Sequence, residues 1–348
     1  MRLSRFYAII ACVFASACAG HGALPSTPLA PHAPFGVTNR ATTSGPTFFG
    51  VRVPTSGSVP TGITTGPDGN VWFTEAHGNK IGKLDTNNRI TEFPVPTASS
   101  NPAHIVAGAD GNLWFDERFG NKIAKINPST GAITEYPLAV AKSGADGVAL
   151  SSTSLGGNGD VWFCEMFNNK VGFITPSGQI TEIKVPTPHA QPAFITQGLD
   201  GTMWFTEAKG NKIGHVKSDM TIAEFPVPTA SSVPSGIAAG ADGKLWFTEL
   251  AASKLGSMST FGQFQEFPTT SPNEQPIQIT AGPPGKNQLW FTNFAGNEIG
   301  VYNLNTQTIA EYILPTPSAG PHDISFGAAG FIWFTESKAN NIAFNSTP

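Results

Sequence analysis

The sequence predicts an all-β protein that folds as a seven-bladed β-propeller with four-stranded blades. It contains seven tryptophans, and successive ones lie 42 to 48 residues apart, each in a copy of one motif. Repeats of about 40–45 residues with several short strands and an aromatic signature are typical of propeller blades. Helical periodicity is scarce, whereas Gly (38), Pro (29) and Phe (25) are abundant. The tryptophans are Trp72, Trp114, Trp162, Trp204, Trp246, Trp290 and Trp333.

The N-terminus predicts export. Arg2 and Arg5 precede a short apolar run that ends in small residues before Cys18, which indicates a cleavable signal peptide over residues 1–17. Residues 15–18 also resemble a bacterial lipobox, so we expect lipidation of Cys18, with ordinary cleavage after Ala17 as the alternative. The protein is therefore expected in the cell envelope, attached through Cys18, and otherwise periplasmic or secreted.

A tether and the propeller are predicted to follow. Residues 18–46 are rich in Pro, Ser, Thr and Ala without a periodic pattern, which is typical of a disordered tether. Residues 47–348 hold the repeats and no apolar run of 18 residues, so membrane contact is expected only through the lipid. The net charge of −4 argues against nucleic acid as a partner. After cleavage only Cys18 and Cys164 remain, which excludes a disulfide framework, and we expect a monomer.

Each repeat predicts four strands. In the first copy, inner strand a covers Gly62–Thr65, and an Asp-Gly turn leads to strand b at Val71–Glu75. Strand b is apolar on both faces because neighbouring blades cover it. Strand c follows, and the outermost strand d covers Ile90–Val95. The last repeat stops after strand c at Asn341–Asn345, and residues 48–53 resemble a strand d. The N-terminal strand is therefore predicted to complete the last blade and close the ring.

Six of the seven b strands end in a glutamate and one ends in an asparagine, and the carboxylates are predicted to converge on one opening of the ring. In five blades a lysine follows five residues later, and pairing with it would make the carboxylate structural. Glu336 is followed by Asn341 instead, which makes it a candidate metal ligand or acid–base group. The seven residues are Glu75, Glu117, Glu165, Glu207, Glu249, Asn293 and Glu336.

Only the seventh blade offers an imidazole opposite its carboxylate. Counting through the hairpin predicts that His322, at the start of strand a, pairs with Glu336 near the axis. Imidazole is well suited to abstract a proton near neutral pH. His322 and Glu336 are therefore the predicted catalytic residues. The histidines interpreted as surface or packing residues are His77, His104, His189 and His215.

The repeated motif resembles that of the virginiamycin B (streptogramin B) lyase family over residues 48–348. The resemblance implies an elimination that opens a cyclic depsipeptide: a histidine base removes the proton α to the ester carbonyl, and Mg²⁺ polarises that carbonyl. It places the base on His322 and one Mg²⁺ ligand on Glu336. The units that carry it are Trp72-Phe73-Thr74-Glu75, Asn79-Lys80-Ile81-Gly82 and Ile90-Thr91-Glu92-Phe93.

Three further positions that the family uses differ in this sequence. Where the resemblance implies a second metal-binding glutamate, this sequence has Gly320. Where it implies a second histidine and a tyrosine, this sequence has Ile277 and Thr61. Two functions stay open. One is a metal-assisted C–O lyase that opens a cyclic ester, either a depsipeptide or a lactone. The other is a non-catalytic cell-envelope propeller that binds a peptide, glycan or protein. A lactonase-type propeller with a central Ca²⁺ is a third alternative. A small cyclic ester or peptide is the expected ligand at the opening of the ring.

Overall fold

The computed structural model describes residues 39–40, 45–152 and 159–345. Within these ranges the chain forms 29 strands and one short 3-10 helix, Ala328–Gly330. Seven sheets form a ring, because each inner strand contacts the inner strands of both neighbouring blades and the seventh contacts the first. The predicted seven-bladed propeller is confirmed. No helix in the described ranges is long and apolar enough to cross a membrane.

Each blade runs from strand a at the axis to strand d at the rim. Blade one comprises β3 (Pro60–Thr65), β4 (Val71–Glu75), β5 (Lys80–Leu84) and β6 (Ile90–Pro94). Blade two comprises β7 (Pro102–Ala107), β8 (Leu113–Glu117), β9 (Lys122–Ile126) and β10 (Ile133–Pro137). Blade three comprises β11 (Ala145–Leu150), β12 (Val161–Glu165), β13 (Lys170–Ile174) and β14 (Ile180–Lys184). Blades four and five comprise β15 (Pro192–Gln197), β16 (Met203–Glu207), β17 (Lys212–Val216), β18 (Ile222–Pro226); β19 (Pro234–Ala239), β20 (Leu245–Glu249), β21 (Lys254–Met258) and β22 (Phe264–Pro268). Blade six comprises β23 (Pro276–Ala281), β24 (Gln288–Asn293), β25 (Glu298–Asn303) and β26 (Thr308–Ile313).

The N-terminal strand closes the ring. Blade seven comprises β27 (Pro321–Phe326), β28 (Ile332–Glu336), β29 (Asn341–Asn345) and, as its strand d, β2 (Phe48–Arg52). β2 pairs antiparallel with β29, as predicted. The short strand β1 (Asn39–Arg40), inside the predicted tether, pairs in parallel with β26. The predicted signal peptide, Cys18 and most of the predicted tether lie outside the described residues.

The repeat motif explains how each blade packs. Trp72 is fully buried, and its indole Nε1 donates a hydrogen bond to Asp68 Oδ1 in the Asp-Gly turn (2.9 Å). The neighbouring Phe73 lies against Gly82 of strand c, where an added Cβ would come within 2.1 Å of the ring. The equivalent position is glycine in five blades and alanine in the other two, at Ala124 and Ala343. Trp72 and Phe73 point to opposite faces of the blade. Alternate residues of strand b therefore fill the space between the blade and each of its two neighbours.

An asparagine before strand c ties each of six blades to the next loop; we call this contact the asparagine clasp. At the closing joint, Asn340 Nδ2 donates to the carbonyls of Val53 (3.1 Å) and Thr55 (2.9 Å). Its Oδ1 accepts from the amide and hydroxyl of Ser58 (2.8 and 2.9 Å). The ends of the chain are thus joined by the same contact that joins interior blades. The six asparagines are Asn79, Asn121, Asn169, Asn211, Asn297 and Asn340.

Candidate functional site

His322 is the second residue of β27, at the end of the central channel where the inner strands begin. We call this end the mouth. Pro321, not His322, pairs with Glu336, because the register shifts between Pro321 and Ile324. The predicted pairing is therefore wrong by one residue. His322 is partly buried, and its ring lies edge-on to Phe294 with the two centroids 6.4 Å apart.

Glu336 is held by its own blade. It is buried, and its Oε2 accepts a hydrogen bond from Asn341 Nδ2 (2.8 Å). Burial raises the pKa of Glu336, and hydrogen bonds from Asn341 and Thr316 oppose that shift. No hydrogen bond joins His322 to Glu336 in the described part of the chain. The structure therefore brings the two predicted residues onto one hairpin without a hydrogen bond between them.

The repeat lysines do not pair with the strand-b glutamates, which corrects the structural interpretation of those residues. Lys80 forms its ion pair with Glu92 on strand d (2.5 Å). Glu75 stays buried, and burial together with the charge of Glu92 raises its pKa to about 7. In blade four, burial and the charge of Glu224 raise the pKa of Glu207 to about 8. The lack of a lysine therefore does not distinguish Glu336 from its copies.

A buried charged cluster lies at the mouth in blades two and three. His104 Nδ1 lies 3.0 Å from both Asp116 Oδ2 and Asp146 Oδ1, and Arg118 donates to Asp146 (2.7 Å). Burial opposes protonation, but Asp116 and Asp146 outweigh it and raise the pKa of His104 to about 10. Two cations then balance two carboxylates. His104, Asp116 and Asp146 lie close enough together to hold a metal ion. However, the His104 imidazolium and the Arg118 guanidinium already neutralise the two carboxylates.

Burial and the neighbouring charged cluster together set the protonation state of His322. Burial, then the positive charges of His104 and Arg118, lower the pKa of His322 to about 3. The imidazole is therefore neutral near pH 7. Its Nδ1 is buried, with no hydrogen-bond partner among the described residues. A neutral ring nitrogen of this kind can accept a hydrogen bond or a proton from a ligand.

Blades three to six contribute an apolar side to the mouth. Buried Ala193, Ala208, Val233, Leu250 and Ile277 pack together, with the partly buried Met166, Phe194 and Phe294 against them. We call these eight residues the apolar wall. Below the mouth, a cavity of about 380 Å³ is lined by residues from all seven inner strands.

The mouth combines the apolar wall with the charged cluster and the neutral His322. The propeller that carries it is similar to known proteins. The sequence matches the Virginiamycin B lyase family over residues 36–155 and 151–344. The chain belongs to the virginiamycin B lyase family. A search of curated proteins finds no match.

Solved lyase structures resemble the chain over nearly their whole length. A streptogramin B lyase structure shares 38% identity, with 86% of this chain and 97% of that chain covered and a TM-score of 0.80. The selenomethionine-substituted virginiamycin B lyase from Staphylococcus aureus shares 36% identity, with 87% and 99% covered and a TM-score of 0.81. A catalytically inactive variant of the Staphylococcus aureus enzyme with quinupristin shares 35%, with 87% and 99% covered and a TM-score of 0.80.

The virginiamycin B lyase resemblance implied Mg²⁺ at Glu336, and the residues present do not fit it there. Gly320 offers no ligand, and a Cβ at this position would lie 2.8 Å from Lys338 Cγ. The Lys338 ammonium sits over the Phe294 ring, 4.1 Å from its centroid. A lysine stem thus fills the place beside Gly320. Glu336 belongs to neither of the two acidic groups that could hold a metal among the described residues.

Sequence reasoning missed the charged cluster, although departures from the repeat point to it. Asp116 stands where five other blades have threonine, and Arg118 stands where most blades have a small or apolar residue. His104, interpreted as a surface or packing residue, is buried between carboxylates. These replacements fall in a single blade, which is the signal that could have found them. The second acidic group is Glu274, Glu298 and Glu311, in blade six.

Proposed function

We propose that this protein is a virginiamycin B lyase-like propeller that binds a small cyclic ester or peptide at its mouth. The observation that carries the proposal is the division of the mouth into the apolar wall and the charged cluster. Binding sites for small ligands are mostly apolar, with a few polar groups that fix orientation. A cyclic depsipeptide has apolar side chains and a polar backbone, and it matches both sides.

Elimination is the second candidate function. His322 Nδ1 would take a proton from the carbon next to a carbonyl, the ester C–O bond would break, and a carbon–carbon double bond and a carboxylate would form. The neutral, unpartnered Nδ1 favours this reaction. A base with a pKa of about 3 is, however, poorly matched to proton abstraction at neutral pH. Binding is therefore the first candidate.

Calorimetric titration with quinupristin, the ligand of the inactive relative, tests binding. Leu250→Glu puts a charge into the apolar wall and should weaken binding more than about tenfold. Leu199→Glu is the matched control, because this leucine is exposed in a turn at the opposite end of the channel. Absence of binding by the wild type, or equal binding by both variants, would overturn the proposal.

Mass spectrometry of the recovered ligand separates binding from catalysis. Unchanged quinupristin supports binding alone. A linear product of the same mass, formed with chelator present and lost in His322→Ala but not in His77→Ala, would establish elimination. A product heavier by one water would show hydrolysis and reject elimination.

A gain-of-function variant tests the reason for the lost metal site. Gly320→Glu together with Ile277→His restores two residues that the resemblance implies. Lys338→Ala removes the Cγ and Cδ atoms that would lie 2.8 and 2.9 Å from the new Cβ, and glutamate at the left-handed φ of 61° still costs backbone strain. We expect the triple variant to open quinupristin only with Mg²⁺. If it opens the ring equally well in chelator, the explanation through Gly320 is wrong.

We also propose that the protein is exported and attached to the cell envelope through a lipid on Cys18. The basic start, the apolar run and the small residues before Cys18 support this proposal. Mass spectrometry of the mature N-terminus should find cleavage after Ala17 and a diacylglycerol adduct. An unmodified Cys18 would refute lipidation.

A further inference from the structure

Arg118 stands at a repeat position that lines the mouth. It is the first residue after strand b of blade two, and the other six blades have an uncharged residue there. The equivalents in blades three to six all belong to the apolar wall. Blade two lies next to blade three, so Arg118 continues this line of residues with a positive charge. The six equivalents are Ala76, Met166, Ala208, Leu250, Phe294 and Ser337.

The guanidinium of Arg118 is fixed at one nitrogen and keeps donors for another partner. Nη2 donates to Asp146 Oδ1 (2.7 Å) across the boundary between blades two and three. This is the one side-chain hydrogen bond of Arg118 among the described residues, although a guanidinium has five N–H donors. Nε is buried without a hydrogen-bond partner among these residues. Asp146 therefore orients the group and leaves most of its donors unused.

His104 supplies a second cationic donor without an acceptor. The side chain is buried, and its Nδ1 faces Asp116 and Asp146. Because the ring is protonated near neutral pH, Nε2 also carries a hydrogen. That nitrogen is buried and has no hydrogen-bond partner in the described part of the chain. A buried donor without an acceptor is costly, so an oxygen from a ligand would relieve this cost.

The charges at the mouth favour an anion. The two cations and two carboxylates of the charged cluster balance each other. Lys338 adds a positive charge above the Phe294 ring and forms no ion pair with a described residue. Glu117 precedes Arg118 but is buried, and burial and the charge of Glu135 raise its pKa to about 8. Glu117 is therefore largely uncharged near pH 7 and does not repel an anion.

The charged cluster adjoins the apolar wall. The rings of His104 and Phe194 lie edge to face, with their centroids 4.9 Å apart. Phe194 belongs to the wall, and His104 belongs to the cluster. A ligand whose apolar part packs on the wall can therefore place a polar end against the cluster.

We propose that the charged cluster binds a carboxylate group of the ligand, with Arg118 as the principal donor and His104 as the second. This inference rests on the proposed function of the mouth and names the preferred ligand class. The mouth binds small apolar acids, such as the ring-opened acid of a cyclic ester, more tightly than the neutral ring.

The chemistry of the guanidinium supports this preference. Its planar donors match the two oxygens of a carboxylate, and hydrogen bonds between two charged groups are about twice as strong as neutral ones. An ester carbonyl offers a single neutral oxygen instead. The carboxylate would therefore use donors that the closed ring leaves unpaired.

Titration calorimetry with three probes tests the inference. The probes are quinupristin, the linear acid made by alkaline hydrolysis of its ring ester, and the methyl ester of that acid. The acid should bind more than about tenfold more tightly than its methyl ester. Equal or weaker binding of the acid would overturn the inference and leave the proposed function standing. If none of the three binds, the proposed function fails and the inference fails with it.

Two variants locate the carboxylate. Arg118→Gln should abolish the preference for the acid over its methyl ester. Lys209→Gln is the matched control, because this lysine is exposed in the turn after strand b of blade four, and it should keep the preference. A retained preference in Arg118→Gln, or its loss in Lys209→Gln, would show that the carboxylate binds elsewhere.

A third variant covers the case in which Arg118→Gln does not fold, which thermal melting would reveal. Arg118→Lys keeps a positive charge beside Asp146 but lacks the planar donors. It should bind the acid at least about fivefold more weakly than the wild type. Unchanged affinity for the acid in Arg118→Lys would overturn the role of Arg118.

Discussion

Replacing Asn340 by glycine should destabilise the protein by about 3–4 kcal/mol, because it removes the asparagine clasp at the closing joint. Four side-chain hydrogen bonds are lost, two to the carbonyls of Val53 and Thr55 and two from Ser58. Each such bond contributes about 1 kcal/mol net, and more where the partner stays buried and unsatisfied. Ser58 is fully buried, so its amide cannot turn to water instead.

Glycine is chosen because the backbone of Asn340 is left-handed, with φ of 63°. Glycine adopts this conformation freely, so Asn340→Gly isolates the hydrogen bonds. Asn340→Ala adds backbone strain and should cost about 1 kcal/mol more. The matched control is Asn211→Gly inside the ring, where the side chain makes the corresponding four bonds.

Urea unfolding followed by tryptophan fluorescence measures these losses. Asn340→Gly and Asn211→Gly should differ by less than about 1 kcal/mol, because the two joints are built alike and a closed ring unfolds as one unit. A loss below about 1 kcal/mol for Asn340→Gly, beside a full loss for Asn211→Gly, would refute ring closure by β2.

Two further predictions concern pH. The pKa of His104 rises from 6.5 to about 10 on folding, so its stabilisation is complete below about pH 6.5 and is lost as the pH rises through 10; an equal pH slope in His104→Gln would contradict this. The pKa of Glu207 rises from 4.5 to about 8, so folding stability falls between these values, and Glu207→Gln should add about 1–2 kcal/mol near pH 8. Urea unfolding of the wild type and Glu207→Gln below pH 4.5 and near pH 8 tests this prediction. Glu224→Gln, which breaks the ion pair with Lys212, is the destabilising control.

The fold could be predicted because the information that determines it is repeated. Four of the seven copies place the tryptophan three residues after the glycine of an Asp-Gly turn, as Trp72 follows Gly69, and the period alone identifies a blade. The missing strand of the last copy and the strand-d pattern at residues 48–53 together predicted the closure that β2 and β29 make. Local pattern and ring topology agree at every one of these points.

The site could be predicted only in part, because it depends on contacts between blades and on side-chain direction. His104 meets Asp146 across a blade boundary, and no local pattern relates the two. Lys80 stands opposite Glu75 in the strand register, yet its side chain reaches outward to Glu92. The bulge at His322 shifts the pairing by one residue, and such a shift leaves no mark in the spacing of the repeat.

The closing joint also constrains how the chain can fold. Ser58 and Asn340 are 282 residues apart in sequence, yet they share two buried hydrogen bonds. Blade seven cannot form before β29 is synthesised. β2 is made early but has no native partner until then, because it pairs with β29. Contacts this distant in sequence slow folding, since a long loop must close before they form. The interior blades can assemble from neighbouring residues, and ring closure is expected to be the last and slowest step.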